Sequence, residues 1–151
     1  MRGDAAKIAG WLDEVATLAG IPAAFDARGV MEIELASGQP LLLEVDEETG
    51  IVLLSADLFA VDPTDRPAVF ERAMTLNHLG AGTGGATLGW DAGRGLLVMS
   101  ALTPIELIDE AAFLGLLSSF IGLVDEYRRG LPETSASPSG LATDPVGLVR
   151  G

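Results

Sequence analysis

The stretch Val69–Ser100, VFERAMTLNHLGAGTGGATLGWDAGRGLLVMS, decides how the rest of the chain is read. An amphipathic segment runs to Leu79, a glycine run occupies Gly80–Gly85, and two apolar segments flank Asp91-Ala92-Gly93-Arg94. The glycine run matches G-x-G-x-x-G letter for letter, yet a dinucleotide loop needs a strand before it and a helix N-terminus after it to meet the pyrophosphate. Here a helix precedes and a strand follows, and no lysine completes a P-loop. The run is a connector, and the stretch reads as helix, connector and β-hairpin.

The segments on either side extend the pattern. Asp4–Ala19 places Ile8, Trp11, Leu12, Val15, Leu18 and Ala19 on one helical stripe, with Gly20 as C-cap and Pro22 barring continuation. Val30–Leu35 alternates apolar and charged residues as a strand. Leu41–Val45 and Ile51–Ala56 flank the turn Asp46–Gly50, so the three strands form an antiparallel meander. Strict alternation puts Leu41, Leu43, Ile51 and Leu53 on one face of that hairpin, with Leu42, Val52 and Leu54 on the other. Arg66–Leu79 is the second helix, its apolar arc (Val69, Phe70, Ala73, Met74, Leu76 and Asn77) wide enough to predict burial on more than one side. Ala86–Asp91 and Gly95–Leu102 make the closing hairpin. Thr103-Pro104-Ile105-Glu106 reads as a capping box opening a long helix over Ile105–Arg129. Leu107, Ile108, Ala111, Leu114, Leu117, Phe120, Ile121, Val124 and Tyr127 line its core side, and Phe113, Leu116 and Leu123 widen the arc. The expected fold is therefore α+β in the order α-β-β-β-α-β-β-α, with a twisted antiparallel five-stranded sheet packed by three helices.

Composition narrows the function. In a 151-residue chain, 48% hydrophobic content excludes disorder throughout and fits one domain over 1–131, with a proline- and serine-rich flexible tail over 132–151. Nine basic against 22 acidic residues give a formal charge of −13, which repels nucleic acid and anionic membranes. Neither a membrane span nor a signal peptide is evident, so the cytoplasm is the expected compartment. Absence of cysteine removes thiol catalysis and thiolate metal sites. The lone histidine, His78, sits at a helix end, where it satisfies carbonyls. There is no Gly-x-Ser-x-Gly elbow and no His-Glu-x-x-His, and the acidic turn Asp46-Glu47-Glu48 lacks calcium-loop spacing. No catalytic residue, cofactor or metal site is assigned. A carboxylate-only enzyme is the remote alternative.

This order, together with Leu76-Asn77-His78-Leu79 before a glycine connector, Leu88-Gly89-Trp90-Asp91 and Gly95-Leu96-Leu97-Val98, resembles the class I type III secretion chaperones, the Tir-chaperone or CesT-like family, over about residues 4–130. The resemblance implies a bacterial cytoplasmic homodimer. It would bind the N-terminal chaperone-binding segment of a secreted effector, keeping that segment extended and soluble until a secretion ATPase takes it. It further implies a dimer interface of Val69, Phe70, Ala73, Met74 and Asn77 with Leu88 and Trp90. Effector would bind along the first helix and the sheet, at Ile8, Trp11, Leu12, Val15, Val30, Leu42, Val52 and Leu54, partly by adding a strand to an exposed edge. A YbjN-like adaptor or regulator of the same architecture is the alternative.

Overall fold

The computed structural model describes residues 3–19 and 24–133. The expected C-cap at Gly20, Pro22 and the tail from residue 134 lie outside the described residues. Helix α1 (Asp4–Ala19) is followed by strands β1 (Val30–Glu34), β2 (Pro40–Asp46) and β3 (Ile51–Ala60). Helix α2 (Arg66–Asn77), strands β4 (Thr87–Asp91) and β5 (Leu96–Pro104), and helix α3 (Glu110–Tyr127) follow among the described residues. The expected order of elements and the α+β class hold. The five strands form one antiparallel sheet in the order β1-β2-β3-β5-β4.

One sheet face is the core. Met31, Leu41, Leu43, Val45, Val52, Leu54, Ala56, Leu97, Met99 and Ala101 are buried there, beneath α1 and α3. α1 contributes Ala5, Ile8 and Leu12, and Trp11 leans on Phe113 of α3 with ring centroids 5.6 Å apart. α3 buries Phe113, Leu117, Phe120, Val124 and Tyr127, an alternating four-and-three spacing that keeps one stripe inward. Glu47, in the β2–β3 turn, accepts from the first helical amides, Ala5 N at 2.8 Å and Asp4 N at 3.0 Å, so the turn fixes where α1 begins. Asp46 shapes that turn by accepting from the Glu48 amide at 2.9 Å and the Thr49 hydroxyl at 2.6 Å.

Several local expectations are corrected. Register pairs Leu43 with Leu54, Val45 with Val52, Glu44 with Leu53 and Asp46 with Ile51. The length of the β2–β3 turn sets odd-numbered residues of β2 opposite even-numbered residues of β3, so Val52 and Leu54 join Leu41 and Leu43 in the core while Ile51 and Leu53 face outward. β3 also runs four residues further than expected, through a bulge between Asp57 and Phe59 that buries Leu58.

α2 buries only Ala73 and Leu76, and Met74 is 74% exposed, so its apolar arc is not covered on a second side within the chain. The helix stops at Asn77, followed by a single 3-10 turn over His78–Gly80 in which Leu79 takes φ 55°. The Thr103 capping box does not form. Thr103 and Pro104 belong to β5, opposite Val52 and Ile51, and the Ile105 amide donates to the Gly50 carbonyl at 2.9 Å. A 3-10 turn at Ile105–Leu107 and an extended Ile108 separate sheet from helix. Asp109 is the actual N-cap, accepting from Ala112 N at 2.8 Å. Leu107 is consequently 74% exposed, Ala111 is exposed too, and Phe113 becomes a central core residue.

The glycine connector has a steric reason. A Cβ on Gly82 would lie 3.1 and 3.2 Å from Cβ and Cα of Leu76, so only glycine lets the returning chain press against the end of α2. The Tyr127 hydroxyl donates to the Gly82 carbonyl, and burial pushes the Tyr127 hydroxyl above its ordinary pKa.

Candidate interaction surfaces

The second sheet face has no buried residue. Leu42 is 41% exposed and Leu102 65%, with Ile51, Leu53, Leu96 and Val98 half-buried around them. Carboxylates border this apolar strip. Glu44 and Asp46 flank Ile51, Leu53 and Leu102 in a shallow groove of about 260 Å³. Glu32, Asp57 and Asp91 edge a neighbouring groove of about 310 Å³ around Leu42 and Val98. Arg94 is the one base there, and it is tied up. Its guanidinium donates to both Asp57 oxygens at 2.7 and 2.9 Å and to Asp91 at 2.7 Å. That fork holds the Asp91 carboxyl below its usual range and raises the guanidinium's own value. Arg128, from the end of α3, donates to the Asp57 carbonyl at the bulge of β3 (2.9 Å) and to the Pro40 carbonyl at the start of β2 (3.0 Å). An exposed apolar strip of this kind makes the outer sheet face a candidate contact surface.

The second candidate surface is the flank of α2 against β4. Phe70 stands edge-on to Trp90 at 5.0 Å between centroids, and the Arg66 guanidinium lies 5.0 Å above the Trp90 ring. Met74 projects one turn further along, and Leu79, 79% exposed, follows at the strained turn. Asn77 serves the chain itself: its amide donates to the Leu88 carbonyl at 2.9 Å and accepts from the Leu88 amide at 2.8 Å.

The residues singled out from sequence fall unevenly. Phe70, Met74 and Trp90 share the α2–β4 flank, with Val69 half-buried beside them, whereas Ala73 and Leu88 are buried beneath it. Of those linked to effector binding, Ile8, Leu12, Val52 and Leu54 are core residues. Trp11 is half-buried under Lys7 Nζ, which lies 5.0 Å from the ring centroid. Val30 and Leu42 do lie on the outer sheet face, and the Val15 side chain lies outside the described residues. Leu53, Ile51 and Leu102 complete the strip and were not singled out; the parity of the turn was the signal that could have found them. Leu79 carried no sequence signal. Among the described residues no cluster of three His, Asp or Glu side chains could hold a metal ion, and no helix is long and apolar enough to cross a membrane.

The fold is shared with solved structures. A chain of the ExsC–ExsE complex superposes with a TM-score of 0.68 at 17% identity, covering 89% of this chain and all of that one. The ExoU–SpcU complex from the type III secretion system of Pseudomonas aeruginosa gives 0.61 at 22% identity, covering 82% and 93%. YbjN of E. coli, described as a putative transcription regulator, gives 0.52 at 16%, covering 81% and 89%. Among curated proteins the sequence has no match. Residues 10–128 match the Tir chaperone protein (CesT) family, a span that runs from within α1 to the end of α3. The chain therefore belongs to the Tir chaperone (CesT) family.

Proposed function

We propose that this protein is a type III secretion chaperone, which holds an extended N-terminal segment of an effector in the cytoplasm until a secretion ATPase takes it. The observation that carries the reading is the uncovered apolar strip on the outer sheet face, Leu42, Ile51, Leu53 and Leu102, in a chain of this family. An unfolded segment laid on such a strip gains apolar burial without chemistry, so no catalytic group is required. Homodimerisation through the α2–β4 flank accounts for Phe70, Met74 and Trp90, large side chains that find only partial cover within one chain.

Light scattering at micromolar concentration should give a dimer for the native chain and a folded monomer for Met74→Asp, whose side chain projects into solvent. A native monomer would sink the dimer. Capture from a strain carrying a type III system should recover a secreted protein that no longer binds once its N-terminal segment is removed. The fold shared with YbjN supports a stand-alone regulator as the rival reading. Recovery of a partner only through a folded domain would favour that rival.

A further inference from the structure

β3 outruns its neighbour. Its ladder with β2 closes at the pair of Ser55 with Leu42, and β2 begins at Pro40, while β3 and β5 stay paired as far as Ala60 and Leu96. Past the start of β2 a cleft of about 290 Å³ opens between the strand ends and the end of α3, with Pro40, Phe59, Ala60 and Leu96 on its walls and Arg128 beside them. The Arg128 side chain spans this gap: Nε donates to the Asp57 carbonyl at 2.9 Å, Nη2 to the Pro40 carbonyl at 3.0 Å and Nη1 to the Ser37 hydroxyl at 3.4 Å. All three acceptors are neutral. The guanidinium fork carries five N–H groups, so one on each terminal nitrogen is left over.

The charge of Arg128 is unmatched as well. Among the described residues the ion pairs engage Arg28, Arg72 and Arg94 but not Arg128. Asp57, whose carbonyl Arg128 holds, turns its carboxylate to Arg94 instead. Burial pushes the Arg128 guanidinium below its ordinary pKa, against the pull of Asp125 and Asp57 nearby. In a chain with 22 acidic and nine basic residues, a half-buried cation without a counter-charge draws an anion where most of the surface repels one. The walls narrow the choice of anion. Phe59 and Leu96 are apolar and half-buried, and the volume is at the small end of the range for ligand pockets, about 300–1,000 Å³, which suits a side chain or two. The cleft also shares Pro40 and Asp57 with the groove around Leu42 and Val98, so a segment lying on the outer sheet face passes its mouth. We propose that this cleft is a carboxylate-binding site whose occupant is an aspartate or glutamate side chain of the segment the chaperone holds. The carboxylate takes the spare N–H groups of Arg128, and an adjoining apolar side chain lies against Phe59 and Leu96. Such an anchor sets the register of a segment that the apolar strip alone lets slide. The proposal rests on the chaperone reading and adds to it a polar subsite.

The test follows the Arg128 Nε–H signal by NMR on the full chain, titrated with end-blocked leucine–glutamate–leucine, with end-blocked leucine–glutamine–leucine and with acetate. The glutamate peptide should shift the signal saturably and bind about tenfold more tightly than either of the others. Arg128 also ties α3 to the sheet, so the variants leave it in place. Ala60→Glu, at the exposed end of β3, sets a carboxylate of the chain's own at the cleft and should abolish the response, whereas Ala60→Gln should keep it. Equal binding of the glutamine peptide or acetate, a response that survives Ala60→Glu, or no response at the highest soluble peptide concentration overturns the proposal. So does a shifted Arg128 signal in peptide-free Asp144→Asn, because Asp144, the one acid in residues 134–151, would then be the occupant. Capture of a native effector separates the two levels: undiminished capture by Ala60→Glu overturns the subsite while the chaperone reading stands. If the native chain captures nothing, that reading fails, and the peptides alone decide the cleft.

Discussion

Replacing Asn77 tests whether a side chain closes the β4 edge. Its amide makes two bonds to Leu88, at 2.8 and 2.9 Å, both partly buried. Asn77→Ala leaves one N–H and one C=O without partners, at about 1 kcal/mol each, so the loss is about 2 kcal/mol. Asn77→Asp separates the two bonds. Aspartate still accepts from the Leu88 amide but turns its second oxygen toward the Leu88 carbonyl, which disfavours the charged form and raises the folded-state pKa above the unfolded value of about 3.9. Between those two values the folded chain binds more protons than the unfolded one. Stability of Asn77→Asp relative to the native chain is therefore fully present below the unfolded value and lost as pH rises through the folded one. Urea unfolding at fixed protein concentration should give a loss of about 2 kcal/mol for Asn77→Ala at pH 7. For Asn77→Asp the loss should be at least as large at pH 7 and smaller at pH 4. A change within about 0.5 kcal/mol for Asn77→Ala would refute the reasoning.

Two further outcomes follow from buried and paired polar groups. Thr83 is fully buried and its hydroxyl has no hydrogen-bond partner among the described residues, so Thr83→Val should stabilise the fold by about 1 kcal/mol and raise the melting temperature; a fall would contradict the reading. The Arg94 hydrogen bond holds the Asp91 carboxyl low, and a depressed folded value gives stability that is present above about pH 4 and lost as pH falls through it. The advantage of the native chain over Arg94→Gln, measured by urea unfolding, should accordingly shrink toward pH 2, and a constant advantage would show that the pair is not its source.

The parts of the fold legible in the sequence are those governed by local period. α1 and the order of strands follow from apolar spacing, and the glycine run lies after a helix and before a strand, as its flanking patterns imply. What was illegible depends on pairing. The faces of the β2–β3 hairpin turn on the parity of one loop, which alternation within each strand does not contain. Thr103-Pro104-Ile105-Glu106 satisfies every local rule for a helix start, yet pairing with Val52 and Ile51 keeps the chain in the sheet and hands the cap to Asp109. Asn77 looked like part of an apolar arc because its partner, Leu88, is reached only after the chain turns back through the connector. The candidate surface was half legible for the same reason: Leu42 was found by alternation, while Leu53 and Leu102 needed the register.

The strand order has a consequence for synthesis. β5 is the last strand made, yet it lies inside the sheet, between β3 and β4. Until residues 96–104 leave the ribosome, the ten-residue β3, with Val52, Leu54, Ala56 and Leu58 along it, has one long unpaired edge. An emerging chain at that stage exposes the feature most prone to pair with other chains. Because α3 must then arrive for Arg128 to reach the Asp57 and Pro40 carbonyls, this domain completes its fold only when nearly all of it has been translated.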